Sequence, residues 1–221
     1  MNRIISVIII FFLFSTLAKA QVTVDISKMQ NVLDRNLTKM NQIQGTPYLN
    51  IEYEAGTILS NADILYRNVP LRYDCFNDIL EFKRNDNAYC LDPKETVKKA
   101  EFGGKVFVYR EFEKEGGANK SYFEEVVKGK ATLFTRYSIN YHEAEEGNGI
   151  IDSKPARFGD LRESYYISID SLPAKKILNN KKLVEILSDK KKEVEAFISK
   201  EKLSVKKKDD VKKIVSYYNS I

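Results

Sequence analysis

The chain has 221 residues, 43% hydrophobic and 30% charged, with a formal net charge of +5, which excludes a disordered chain and allows one or two domains with a proper core. One histidine, two cysteines and no tryptophan leave little material for a zinc centre or a histidine-activated nucleophile.

In chain order, Arg3 is followed by an almost wholly apolar run over residues 4–17, and Ala18-Lys19-Ala20 precedes Gln21. This is the pattern of a secretory signal peptide over residues 1–20. The apolar run is shorter than the roughly 20 residues a spanning helix needs, and no cysteine follows the cleavage site to carry a lipid. The expected location is the periplasm or the outer membrane, or outside the cell. Without Arg3 and Lys19 the charge falls to +3, divided between a basic end, residues 173–221, with fourteen lysines against seven acids, and a body, residues 21–172, with twenty basic and twenty-four acidic side chains.

Residues 21–44 carry Met29, Val32, Leu33, Leu37 and Met40 at helical spacing, which predicts an N-terminal helix; an extended arm ordered against a sheet is the other reading. Gly45 and Pro47 end the segment. Residues 45–172 read as a β-rich core, with short strands at 48–53, 57–59 and 64–66. Residues 97–102 and 105–112 flank Gly103-Gly104, the strongest two-residue hairpin signal in the chain. A loop is expected over 114–119. The alternation over 130–141 puts Ala131, Leu133, Thr135, Tyr137, Ile139 and Tyr141 on a buried face against a wet one. A long polar loop follows over 143–157, then a last strand carrying Tyr165, Ile167 and Ile169.

The densest β-forming stretch, residues 68–92, holds both cysteines. Read as one strand over 69–83, its apolar side chains change face at Asn77-Asp78, which a bulge or tight turn would repair. The turn formers Arg84-Asn85-Asp86-Asn87 predict a hairpin that pairs Lys83 with Ala88 and sets Cys90 opposite Glu81. A Cys75–Cys90 disulfide then requires a true reversal at Asn77-Asp78; two buried thiols are the other reading.

Past Pro173 the apolar period lengthens to about 3.6, with stripes at Leu183, Val184 and Leu187, at Val194, Phe197 and Ile198, and at Val211, Ile214, Val215 and Tyr218. Three short helices follow from this, capped by Asn179 or Asn180 and by Asp189, with Asp209 and Asp210 in the first turn of the third. Helices this short and lysine-rich are marginal alone, so they are expected to dock on the sheet.

Chemistry is sparse. His142 stands before Glu143, Glu145 and Glu146, a set that passes for a metal site but reads more simply as a solvated loop, and no cofactor motif is present. The runs Lys190-Lys191-Lys192 and Lys206-Lys207-Lys208 would suggest nucleic acid in a cytoplasmic protein. In an exported one they point to anionic headgroups or an acidic partner, or serve as a solvated helix face.

"GTPYLNIEYEAG", "VPLRYDCFNDILEF" and the ending "EAFISKEKLSVKKKDDVKKIVSYYNS" resemble a group of uncharacterised secreted proteins of Gram-negative bacteria, in which a β-rich core precedes a lysine-rich helical tail ending in Tyr-Tyr-Asn. The resemblance covers most of residues 45–221, implies export to the envelope and carries no catalytic residue over.

The expected fold is α+β: a curved antiparallel sheet, an open half-barrel in its most curved form, with the N-terminal helix and the three short C-terminal helices. The expected function is non-enzymatic binding of a protein partner or membrane surface, through a candidate surface of Tyr73, Phe82, Tyr137 and Tyr141 together with the two lysine runs. A carrier of a hydrophobic ligand, with the aromatic concave face as its pocket, is the first alternative, and an envelope hydrolase the second.

Overall fold

A computed structural model of the chain describes residues 23–24, 32–34, 43–91, 97–114, 117–147 and 152–221. Tight turns set the architecture. Gly103 and Gly104 have φ of +57° and +68°, and Asn85 and Asp86 have φ of 49° and 64°, the paired left-handed residues whose twist suits a two-residue hairpin. The first joins β7 (Val97–Phe102) to β8 (Lys105–Lys114), and the second joins β5 (Ile79–Arg84) to β6 (Asn87–Leu91). Lys83 pairs with Ala88 and Glu81 with Cys90, as expected, and the rings of Phe82 and Tyr89 stack with centroids 5.4 Å apart.

The stretch over 69–83 is two strands. β4 (Leu65–Asp74) turns back into β5 at residues 75–78, where Asp78 takes a φ of 57°. The Asp74 carboxylate holds that turn, accepting from the Phe76 N–H at 2.9 Å, the Asn77 N–H at 2.8 Å and the Asn77 side-chain amide at 2.8 Å, a side chain standing in for a turn carbonyl. The reversal is real, yet no disulfide joins Cys75 and Cys90. Cys75 sits beyond the Asp74–Ile79 pair, about 10 Å along the strand from the level of Glu81 and Cys90 and two strands away. That exceeds the roughly 7 Å Cα limit for a bridge. Cys75 is 3% exposed, in the core, where burial pushes its thiol pKa up.

Among the described residues the sheet has twelve strands, eleven in the order β12-β11-β10-β9-β8-β7-β3-β4-β5-β6-β2, with β1 beside β4 off this path. The remaining strands are β1 (Thr23–Val24), β2 (Val32–Asp34), β3 (Glu54–Ser60), β9 (Gly117–Val127), β10 (Ala131–His142), β11 (Arg157–Ile169) and β12 (Lys175–Lys176). Two antiparallel meanders meet where β3 pairs with β7, and the whole curves as a half-barrel. Within residues 21–44, β1 and β2 are strand, β2 paired with the edge of β6 and β1 parallel to β4, while Ile43 is a bend and Gln44 an isolated bridge to Arg157. The rest of the predicted N-terminal helix lies outside the described residues, as do residues 1–20. Two further expectations change. Of the loop expected over 114–119, the described residues are paired strand, with Lys114 opposite Gly117 and Phe112 opposite Asn119. Residues 48–53 are bends that touch the sheet through the Tyr48–Asp74 bridge and the Leu49 N–H on Tyr73 O at 2.9 Å.

Three clusters are buried. The first lines the curve of the sheet with Leu71, Tyr73, Phe82, Phe107, Tyr122 and Tyr137. The second lies between Ala131, Leu133 and Ile167 and the helices. The third gathers Phe112, Phe123, Phe134, Tyr166 and Ala174. Phe134 is 2% exposed on the face of β10 expected to be wet. The cause is a closure: Ala174 N–H donates to Glu111 O at 2.9 Å and Ala174 O accepts from Glu113 N–H at 2.9 Å, so the free edge of β8 is tied to β11 through β12 and those aromatics are enclosed.

At Gly56 the neighbouring strand leaves no room for a side chain. A Cβ there would stand 2.3 Å from Glu101 O and 2.8 Å from Phe102 Cβ, beside the register shift of β3 against β4. Gly56→Ala should therefore lower stability by about 3 kcal/mol, at the upper end for overpacking, and denaturant titration against the parent checks it.

Candidate functional site

The helical layer carries most of the predicted lysines. α1 (Asn180–Ile186) starts where Asn179 Oδ1 accepts from the Lys182 N–H at 2.8 Å, and α2 (Lys191–Glu201) and α3 (Lys208–Ser220) follow. Asp209 and Asp210 occupy the first turn of α3, where carboxylates suit the helix dipole. Asp189 does not cap α2, as the sequence had suggested. Its carboxylate accepts from the Tyr218 hydroxyl at 2.9 and 3.0 Å and from Lys130 Nζ at 2.6 Å, and so joins the layer to the start of β10.

The Tyr-Tyr-Asn ending acquires a role residue by residue. Tyr217 stacks on Phe197 with centroids 4.0 Å apart and planes 11° off parallel. Tyr218 is 1% exposed, in the second cluster. Asn219 behaves like one more strand residue, its Oδ1 accepting from the Ala131 N–H at 2.9 Å and its Nδ2 donating to Ala131 O at 2.8 Å. Gly129 leaves room for it, since a Cβ at that position would stand 2.4 Å from Asn219 Nδ2.

Where the first and second clusters meet lies a polar seam. Glu124 is 8% exposed and accepts from the Tyr137 hydroxyl at 2.5 Å and from Lys208 Nζ at 2.8 Å, with Lys105 Nζ at 3.7 Å. Burial pushes the Glu124 pKa up, but hydrogen bonds from Lys208 and Tyr137 and the charges of Lys208 and Lys105 outweigh it, and the carboxyl is held below its ordinary value of 4.5. Burial first, and then the bond to Glu124, push the Tyr137 hydroxyl up.

The predicted binding surface therefore comes apart. Tyr73, Phe82 and Tyr137 are at most 3% exposed: the rings that were to line a concave pocket fill it, and Tyr73 and Tyr137 spend their hydroxyls on Asp78 and Glu124. Tyr141 is 39% exposed and packs with Phe76 and Phe158 at 6.0 and 5.8 Å. Of the lysines, Lys208 belongs to the seam. Lys190 donates to Ile221 O and lies 5.2 Å from the Tyr218 ring centre. Lys191 reaches Glu195 at 3.9 Å at the surface. Lys192, Lys206 and Lys207 are exposed and make no ion pair with a described residue. Lys200, Lys202, Lys212 and Lys213 share that character.

Two features were not foreseen. The Arg72 guanidinium lies between Tyr48 and Tyr53, 3.6 and 4.2 Å from their ring centres, and donates to the fully buried Glu81 at 2.9 Å; the aromatic spacing was visible, the loop that brings it over Arg72 was not. A cleft of about 500 Å³ opens between the end of β11 and α1, with Ile167, Ile169, Leu172 and Ile186 as its apolar wall. His142 is exposed at the end of β10, opposite Arg157, while Glu145 pairs with Lys154 at 2.7 Å. Among the described residues no cluster of three or more His, Cys, Asp or Glu could hold a metal, and no helix is long and apolar enough to cross a membrane.

The seam has a definite pH signature. A carboxyl whose folded pKa is depressed contributes stability that is present above its unfolded pKa and lost as pH falls through the folded one. Lys208→Met should cost about 2 kcal/mol at neutral pH, below the range for a fully buried pair because Lys208 is partly exposed. That deficit should shrink once the pH drops below the ordinary 4.5 of Glu124, as read by urea titration of both proteins from pH 7 to about 3.

No protein-family model, curated protein or solved structure matches the chain.

Proposed function

We propose that the protein is an exported, non-enzymatic component of the cell envelope whose helical layer binds an anionic surface, the membrane headgroups in the first place. One observation carries this reading. The helices are fixed to the sheet through Asn219, Asp189 and Lys208, yet they present Lys192, Lys206 and Lys207 exposed and without ion pairs among the described residues. Rigidly held cations lose little freedom on meeting a charged surface, and each is worth about 1 kcal/mol near an anionic leaflet. The apolar run and A-x-A site at the N-terminus, and the resemblance to secreted proteins of Gram-negative bacteria, support the location. The cleft beside α1, at about 500 Å³, keeps the carrier reading as the second one, with its site beside the helices in place of the aromatic face.

Flotation with vesicles of phosphatidylcholine, with and without phosphatidylglycerol, tests the first reading. The protein should bind the anionic vesicles alone and release with salt. Replacing Lys192, Lys206 and Lys207 by Gln should weaken binding by about 3 kcal/mol, roughly a hundredfold. Equal binding to both vesicles, or none to either, contradicts a membrane target and directs attention to an acidic protein partner.

A further inference from the structure

Just past the end of β11 the chain reverses through Asp170 and Ser171, whose φ angles of 47° and 66° are left-handed, and the turn leaves Leu172 60% exposed. Across from it stands α1, and the cleft of about 500 Å³ opens between them. Its wall is apolar: Ile167 and Ile169 come from β11, Leu172 and Pro173 from the turn, and Ile186 from α1. Its rim carries both signs, with the cations Lys130, Lys175 and Lys182 and the anions Asp170, Glu185 and Asp189. Five of these charges already have a partner. Lys130 lies 2.6 Å from Asp189, Lys182 lies 3.4 Å from Glu185, and Lys175 lies 3.2 Å from Glu113, which is not part of the cleft. Asp170 is the exception: it is exposed, and its carboxylate makes no hydrogen bond or ion pair with a described residue.

We propose that this cleft binds a single-chain lipid with a zwitterionic headgroup, its acyl chain against the isoleucines and its phosphate and ammonium at the rim. Volume sets the number of chains. At roughly 30 Å³ for a water-sized group, a space of about 500 Å³ takes about sixteen carbons, which is one acyl chain and not two. An apolar wall bordered by a few polar groups is the ordinary make-up of a small-molecule site, and a bound chain would cover the exposed Leu172. Charge sets the head. The unpartnered Asp170 carboxylate suits an ammonium. The Lys175 and Lys182 side chains each make one ion pair, at 3.2 and 3.4 Å, and an ammonium has three N–H donors, so both keep donors for a phosphate. A purely anionic head would meet Asp170 as a like charge, and a purely cationic one would leave those donors to water. A head with both groups satisfies all three residues, and a rim with three charges of each sign asks for no net charge. This inference rests on the carrier reading and names its ligand; Lys192, Lys206 and Lys207 do not line the cleft.

Calorimetric titration of the delipidated full chain, recovered as an exporting host processes it, with myristoyl lysophosphatidylethanolamine below its critical micelle concentration should show one site per chain. Myristate, which has the same chain and no ammonium, should bind at least about tenfold more weakly. Asp170→Asn keeps a residue type that accepts a φ of 47°; it should weaken the lysophospholipid about tenfold without weakening myristate. Lys182→Gln should weaken both. Leu172→Glu, at a side chain already 60% exposed, should abolish both while leaving the fold intact, which circular dichroism and the melting transition verify. Equal binding of the two probes, with Asp170→Asn without effect, overturns the zwitterionic head and leaves the carrier reading standing. Binding of neither probe overturns both. Binding that survives Leu172→Glu lies elsewhere on the chain and overturns the assignment to the cleft.

Discussion

Glu124 is a carboxylate set where two hydrophobic clusters meet, and the last helix of the chain supplies the cation that lets it stay there. A buried charge without a partner costs several kcal/mol; here Lys208 reaches it at 2.8 Å from the first turn of α3, and Tyr137 donates to it from β10. At the other end of α3, Asn219 completes the backbone bonding of Ala131. The helix is held at both ends by polar contacts with defined geometry. Between them Val211, Ile214, Val215 and Tyr218 cover the apolar face that Ala131, Leu133 and Ile167 would otherwise expose. The tail is a layer of the fold.

That arrangement divides the lysines into two kinds. Lys130, Lys190 and Lys208 lie against Asp189, Tyr218, Tyr137 and Glu124, where a carboxylate or an aromatic face compensates their partial loss of water. Lys192, Lys206 and Lys207 stay in solvent. Binding to an anionic surface draws on the second kind, and it can do so without disturbing the contacts that keep the layer in place. The cleft beside α1 is a site apart from those exposed lysines.

Much of the architecture was legible where local chemistry decides it. Gly103-Gly104 and Asn85-Asp86 announce their turns because left-handed φ is inexpensive for those residues, and the register that set Cys90 opposite Glu81 followed directly. The three apolar stripes past Pro173 gave the helices because their period is intrinsic. What could not be read depended on distant partners. Val32–Asp34 is strand because β6 offers it an edge, whatever its own spacing suggests. Phe134 is buried because Ala174 closes the sheet behind it. Asp189 serves Tyr218 and Lys130, neither of them near it in sequence. The aromatics expected to line a groove fill it, since a curved sheet brings Phe107 and Tyr122 to 5.3 and 6.1 Å from Tyr73. The candidate lysines were half legible: their positions were plain, and which of them the fold consumes was not.

The central claim is that the helical tail is integral to the fold, and native-state amide hydrogen exchange measures this most directly, because it reports the free energy of each local opening. If α3 is locked to β10 as described, its buried amides should exchange within about tenfold of those of β10 and lose protection together with them on adding denaturant. Exchange from α3 several orders of magnitude faster than from β10, with the sheet still protected, would show a detachable tail and contradict the account.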